Sequence, residues 1–149
     1  MHFDLVDRVL ELTPERIVTL KQVSMAEEYL QDHFATFPVL PGVMMLEAMV
    51  QAGRRLVESR EDGRGLRMPL VLGKVRALKY GRFVKPGAAL RVEVTLGKKL
   101  EGEWDLRGEA TVIEPGAVGE APTAVSGRFI LREARINRGA AIHRDAVTQ

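Results

Sequence analysis

The 149-residue chain contains no cysteine. That excludes a disulfide scaffold, a thiol nucleophile and Cys-ligated zinc, and it fits a reducing compartment. Aromatic residues make up only 5%, and no nucleic-acid-binding motif accompanies the positive charge, so nucleic acid is not an expected partner. No apolar run approaches the ~18 residues that cross a bilayer, so no membrane segment is expected. The N-terminus, Met1-His2-Phe3-Asp4, lacks a basic region followed by an apolar core and does not read as a signal peptide. The expected location is the cytoplasm. Of the histidines, His2 and His143 lie near the ends of the sequence without ligand-spaced partners, so no metal site is expected. Acid is scarce in one stretch: between Arg64 and Lys99 the only acidic residue is Glu93. Such a basic span is either a set of solvent-facing strand positions or a docking surface for an acidic partner.

What is present suits one soluble domain with a sizeable core. Residues 16–23 are β-rich and read as a strand. Leu5, Val6, Val9 and Leu10 have helical spacing, yet Val9, Leu10 and Leu12 also suit an extended segment. Ser24 with Glu27 three residues on reads as a capping box opening a short helix. The charged stretch Glu58 to Gly65 reads as an exposed loop. Beyond it the period falls to two. Leu70 to Tyr80 reads as a strand; Leu90, Val92, Val94 and Leu96 alternate with polar residues, and so do Trp104, Leu106, Ala110 and Val112, then Val125, Gly127, Phe129 and Leu131. Alternation in consecutive turn-linked strands predicts an antiparallel sheet with one solvated face. The domain is expected over residues 1–132, with a polar and flexible tail over 133–149.

The centre of the sequence is residues 32–53. His33 is followed by Pro38, Pro41 and Gly42, then by an apolar run broken by Glu47. Pro41-Gly42 is a loop signal and the run after it predicts a helix. Val43, Leu46, Val50 and Ala52 suit one buried face, and Met44, Met45, Ala48 and Met49 cover most of the rest. A helix apolar nearly all round is a buried helix. A carboxylate in such a helix is costly unless it is paired, hydrogen-bonded or neutral, and His33 is the obvious partner for Glu47. A sheet with one apolar face needs a cover, which this helix supplies.

The segment resembles the active-site region of the β-hydroxyacyl-(acyl carrier protein) dehydratases. His33, Phe34, Pro38, Val39, Pro41, Gly42, Val43, Glu47, Ala48 and Gln51 fall in register with that family's pattern. Ala35-Thr36 and Asp32 depart from it. Gly81 to Gly87 followed by Leu90 resembles a second family segment, and the likeness extends loosely over residues 4–132. The resemblance implies an α+β hot-dog fold, an antiparallel β-sheet wrapped around one long central apolar helix. It implies removal of water from a (3R)-3-hydroxyacyl thioester to give the trans-2-enoyl thioester, in fatty acid or related lipid or polyketide synthesis. His33 and Glu47 take the catalytic roles, and Gly42, Val43 and Gln51 the oxyanion and substrate-binding roles. No cofactor is implied, the substrate being carried on the phosphopantetheine of acyl carrier protein, an acidic partner. The implied assembly is a homodimer, or a trimer of dimers, with His from one chain meeting Glu from the other.

The chemistry suits these residue types. His33 has an ordinary pKa near neutrality and can take the proton next to the carbonyl. A buried Glu47 would be held protonated and could give its proton to the departing hydroxyl. The Gly42 N–H, at a helix start, is free to receive the thioester oxyanion. Each residue also has a plainer reading: His33 as a structural or surface histidine, Glu47 as an ion-pair partner of Arg54, Gln51 as a holder of Glu47 or a neighbour of polar groups, Gly42 as a turn glycine. A hot-dog acyl thioesterase and a non-catalytic acyl-binding subunit are the competing functions. The first needs a carboxylate but no His33–Glu47 couple, and the second predicts decay of the pair.

Overall fold

Leu90, Val92 and Val94 are wholly buried, while Arg91, Glu93 and Thr95 between them are half-exposed. The period-two pattern is thus realised as strands with one face turned inward. A computed structural model describes residues 3–60 and 63–135. Among these residues the order is β1 (Arg8–Leu12), β2 (Arg16–Gln22), a 3-10 turn at Glu28–Leu30, α1 (Gly42–Ser59), β3 (Leu70–Tyr80), β4 (Ala89–Leu100), β5 (Glu103–Ile113) and β6 (Thr123–Glu133). The strands form one sheet in the order β1-β2-β4-β5-β6-β3, with every neighbouring pair antiparallel. Helix α1 lies across its inner face, the expected hot-dog arrangement.

The core joins Met45, Met49 and Leu56 of α1 to Leu90 and Val92 of β4, Leu106 of β5 and Phe129 of β6. Glycines on both partners let helix and sheet close tightly. A Cβ on Gly53 would lie 3.0 Å from the Phe129 ring, and one on Gly108 would lie 2.6 Å from Met49 Sδ. That packing fixes the rotation of α1, and with it which side chains face away from the sheet.

Several expectations are corrected. Val43 does not belong to a buried face: it is 68% exposed, one turn before Glu47 on the side of α1 turned from the sheet. The N-terminal segment, left open between helix and extended chain, is extended over Arg8–Leu12, paired to β2 with a bulge between Val9 and Glu11. The capping box opens no α-helix. The Ser24 N–H reaches Glu27 Oε1 at 3.4 Å, but Ser24 Oγ accepts from Ala26, and only the short 3-10 turn follows. Helix α1 runs on through Glu58 to Ser59, into the expected loop. β6 reaches Glu133, and the Ala134 N–H bonds to the Pro69 carbonyl at 2.9 Å, so the folded unit passes the expected boundary at 132. The rest of the expected tail, from residue 136, lies outside the described residues.

Candidate active site

His33 sits on the loop between the 3-10 turn and α1. Its Nδ1 lies 3.1 Å from the Val39 carbonyl, while the Val39 N–H donates to the His33 carbonyl at 2.9 Å. A carbonyl can only accept, so in the neutral ring Nδ1 carries the hydrogen and Nε2 the lone pair. This is the tautomer a general base needs. The Phe34 ring stacks on the imidazole with centroids 4.4 Å apart, and the His33–Phe34 peptide is cis. Phe34 and Phe37 exchange backbone hydrogen bonds of 3.1 and 3.0 Å, which closes the loop. Asp32, next in sequence, is exposed.

Helix α1 begins at Gly42 after Pro41, which provides no side-chain cap. The Met44 and Met45 N–H groups reach back to the Pro41 carbonyl. The N–H groups of Gly42 and Val43 open the helix, where no intrahelical acceptor exists. The Tyr80 ring covers Gly42 so closely that a Cβ there would lie 2.8 Å from its Cε1. The positive end of the helix dipole adds to these donors. Donors so arranged can receive an anionic oxygen.

Glu47 lies one turn further along. Its side chain is 33% exposed, so the carboxyl is half-buried in the single chain. The Gln51 amide donates to Glu47 Oε1 at 3.0 Å, and Arg54 Nη1 lies 3.7 Å from the same oxygen. The two plainer readings of Glu47 and Gln51 are therefore both present as contacts. Gln51 has its remaining amide bonds within the chain, accepting from the Leu5 N–H at 2.7 Å and donating to the Phe3 carbonyl at 3.2 Å.

No hydrogen bond or ion pair within the chain joins His33 to Glu47. The loop that carries His33 and the start of α1 expose apolar side chains. Phe34, Phe37, Val43, Tyr80 and Phe83 are all exposed, Phe37 and Phe83 meet edge to face at 6.0 Å, and Lys85 lies over the Phe37 ring. β3 ends here, and it is an edge strand with one side unpaired. Sequence reasoning named His33, Gly42, Val43, Glu47 and Gln51 as candidates; the last four lie along α1 and His33 on the loop before it. It missed Tyr80 over Gly42 and the main chain of Phe3 and Leu5 at Gln51. Neither carries a sequence signal, since one is a packing contact between distant segments and the other uses backbone groups that every residue has. Among the described residues no three His, Asp or Glu side chains gather as a metal site, and no helix is long and apolar enough to cross a membrane.

Known proteins resemble this chain in sequence and in fold. The FabA-like domain matches residues 1–112. A 3-hydroxyacyl-[acyl-carrier-protein] dehydratase FabZ of Cupriavidus metallidurans is 38% identical over 109 residues, 72% of this chain and 73% of that protein. The FabZ of Symbiobacterium thermophilum is 45% identical over 95 residues, 63% of this chain and 66% of that protein. Among solved structures, the dehydratase heterocomplex ApeI:P from Xenorhabdus doucetiae superposes with a TM-score of 0.62 at 14% identity, covering 89% of this chain and 100% of that one. Zebrafish thioesterase superfamily member 2 gives a TM-score of 0.62 at 15% identity, covering 85% and 80%. At these identities the structural likenesses speak to the fold alone.

Proposed function

The chain belongs to the FabA-like family, and on that premise we propose that it is a 3-hydroxyacyl-(acyl carrier protein) dehydratase of fatty acid synthesis. The observation that carries the reading is a His33 ready to act as a base on the loop before α1, with free N–H groups at the start of α1 and an oriented Glu47 one turn further along it. His33 Nε2 removes the proton next to the thioester carbonyl. The electrons pass into the carbonyl, and the Gly42 N–H stabilises the oxyanion. As the carbon–carbon double bond forms, the carbon–oxygen bond to the hydroxyl breaks, and Glu47 supplies the proton that lets it leave as water. His33 ends protonated and Glu47 ionised, and a proton passed from one to the other through solvent resets the site. Val43 gives the second N–H at the helix start and an apolar wall, and Gln51 serves the site by holding Glu47.

No cofactor takes part in these steps, and the acyl group arrives on the phosphopantetheine arm of an acidic carrier protein in the cytoplasm. The working unit is a homodimer in which His33 of one chain meets Glu47 of the other. Three features support this: no hydrogen bond or ion pair joins His33 to Glu47 within the chain, Val43 on the same side of α1 as Glu47 is exposed, and β3 is an open edge. Unpaired strand edges and exposed apolar patches call for a partner. The thioesterase alternative rests on fold likeness only, whereas the sequence relatives above are named dehydratases.

Subunit mixing tests the reading. His33→Ala and Glu47→Gln are each expected to abolish enoyl formation, and their mixed dimer to regain it, because one composite site keeps both groups. Two inactive variants that stay inactive when co-folded would place both groups of a site in one chain.

A further inference from the structure

The next inference rests on the dehydratase reading and concerns how the acid is aimed. A Gln side chain can turn its amide over at almost no steric cost, because its oxygen and nitrogen are nearly the same size. Here the backbone removes that freedom. The Leu5 N–H, which can only donate, lies 2.7 Å from Gln51 Oε1, and the Phe3 carbonyl, which can only accept, lies 3.2 Å from Nε2. The one remaining amide N–H then points to Glu47 Oε1, 3.0 Å away. Arg54 Nη1 stands 3.7 Å from that same oxygen. Oε1 faces only N–H donors, so the transferable proton of Glu47 belongs on Oε2. With the amide reversed, its oxygen would face the carboxyl and either take the acid's proton in a hydrogen bond or repel the carboxylate.

The segment that fixes Gln51 is itself held. Asp4 Oδ1 accepts from the Val6 N–H at 2.9 Å, and Asp4 Oδ2 meets Arg55 Nη2 at 2.6 Å, one turn of α1 beyond Gln51. The side chains of Leu5 and Val6 are buried, and the Phe3 ring meets Tyr29 edge-on at 6.1 Å. The geometry points to residues 3–6 as a positioning element of the dehydratase, which acts through Gln51 to aim Glu47, with the Asp4–Arg55 ion pair as its clasp.

The test uses the full chain and two readouts, hydrogen exchange at the Leu5 amide without substrate and turnover of a 3-hydroxyacyl carrier-protein substrate. Asp4 and Arg55 lie at the surface, so their substitution leaves the fold in place. Asp4→Ala and Arg55→Ala speed Leu5 exchange and lower kcat by about 10- to 100-fold, the scale of a misplaced catalytic group, with KM nearly unchanged. Asp4→Asn, which can still accept from Val6, lies between them and the parent. In a Gln51→Ala background Leu5 has lost its partner, and Asp4→Ala has no further effect on kcat. Faster Leu5 exchange with parental kcat in Asp4→Ala would overturn the positioning role, as would an unprotected Leu5 amide in the parent. A parent with a protected Leu5 amide and no enoyl product would overturn the dehydratase reading itself, and the positioning role with it.

Discussion

Replacing Gly42 with alanine separates the oxyanion role of this residue from its role in the turn. The added Cβ would lie 2.8 Å from Tyr80 Cε1 and 2.9 Å from Cζ, where relaxed carbon atoms sit ~3.5–4.0 Å apart. The ring must withdraw by about 1 Å. Tyr80 is exposed at the end of β3, so its ring has room to move toward solvent. The cost then falls at the low end of the overpacking range, about 1 kcal/mol. Alanine's helix preference over glycine offsets part of it, by less than the ~1 kcal/mol seen in helix interiors because position 42 is the first of the helix. The net change in folding free energy is therefore within about 1 kcal/mol, or a shift of about 2–4 °C in Tm for a chain of this size. The displaced Tyr80 ring, however, crowds the helix start, where on the proposed mechanism the thioester oxygen must reach the N–H. Loss of one oxyanion donor costs about 10²–10³ in kcat, or ~3–4 kcal/mol. Thermal unfolding and steady-state enoyl formation on the same preparation distinguish these magnitudes. A Gly42→Ala protein with parental Tm and parental kcat would refute the assignment of the Gly42 N–H to the oxyanion.

Two further predictions concern the scaffold. Glu93 holds Arg16 Nε and Nη2 in a forked pair at 2.9 Å each and also meets Arg91 at 3.3 Å. The hydrogen bond from Arg16 comes first among the causes that lower the Glu93 pKa below its usual 4.5, with Arg91 assisting and desolvation opposing. As pH falls, the unfolded chain takes up this proton first, so the pair's stabilisation is complete above the usual glutamate value and is lost as pH falls through the lowered folded one. Glu93→Gln is expected to flatten the dependence of the urea midpoint on pH in that acidic window, modestly because the pair is partly solvated, and an unchanged acid limb would contradict this. Leu56 is wholly buried between α1 and the sheet; Leu56→Ala is expected to cost about 2–5 kcal/mol in denaturant unfolding, and a loss under ~1 kcal/mol would contradict its place in the core.

The candidate site could be named from the sequence because the proposed chemistry needs particular residue types at a fixed spacing. His33, Gly42 and Glu47 could be named as candidates from residue type and spacing, whereas the contacts that orient Glu47 come from residues 46 to 48 positions away from Gln51. β4 and β5 were legible for a similar reason, since Leu90 to Leu96 and Trp104 to Val112 alternate without interruption. β3 kept its limits but not its face pattern. Its pairing with β6 shifts between Leu72 and Lys74 and again between Arg76 and Lys79, where Ala77 takes a positive φ of 51°, and each bulge resets which side chain points inward. β1 was ambiguous because its residues are all exposed, so no buried face imposes a period. The exposure of Val43 was missed for a physical reason as well. The sequence shows that α1 is apolar around most of its circumference, but only the close approach at Gly53 and Gly108 decides which side meets the sheet. The main-chain grip of Phe3 and Leu5 on Gln51 left no trace in the sequence, because a backbone N–H or carbonyl reads the same at every position.

The central claim is that this chain dehydrates 3-hydroxyacyl groups borne by a carrier protein through His33 and Glu47. The most direct measurement is the product formed from a 3-hydroxyacyl-carrier-protein substrate, resolved by mass spectrometry, with the parent, His33→Ala and Glu47→Gln proteins run side by side. A carrier-bound product lighter by one water is expected from the parent, and none from either variant. Free acid released from the carrier by the parent, or enoyl product undiminished in both variants, would contradict it.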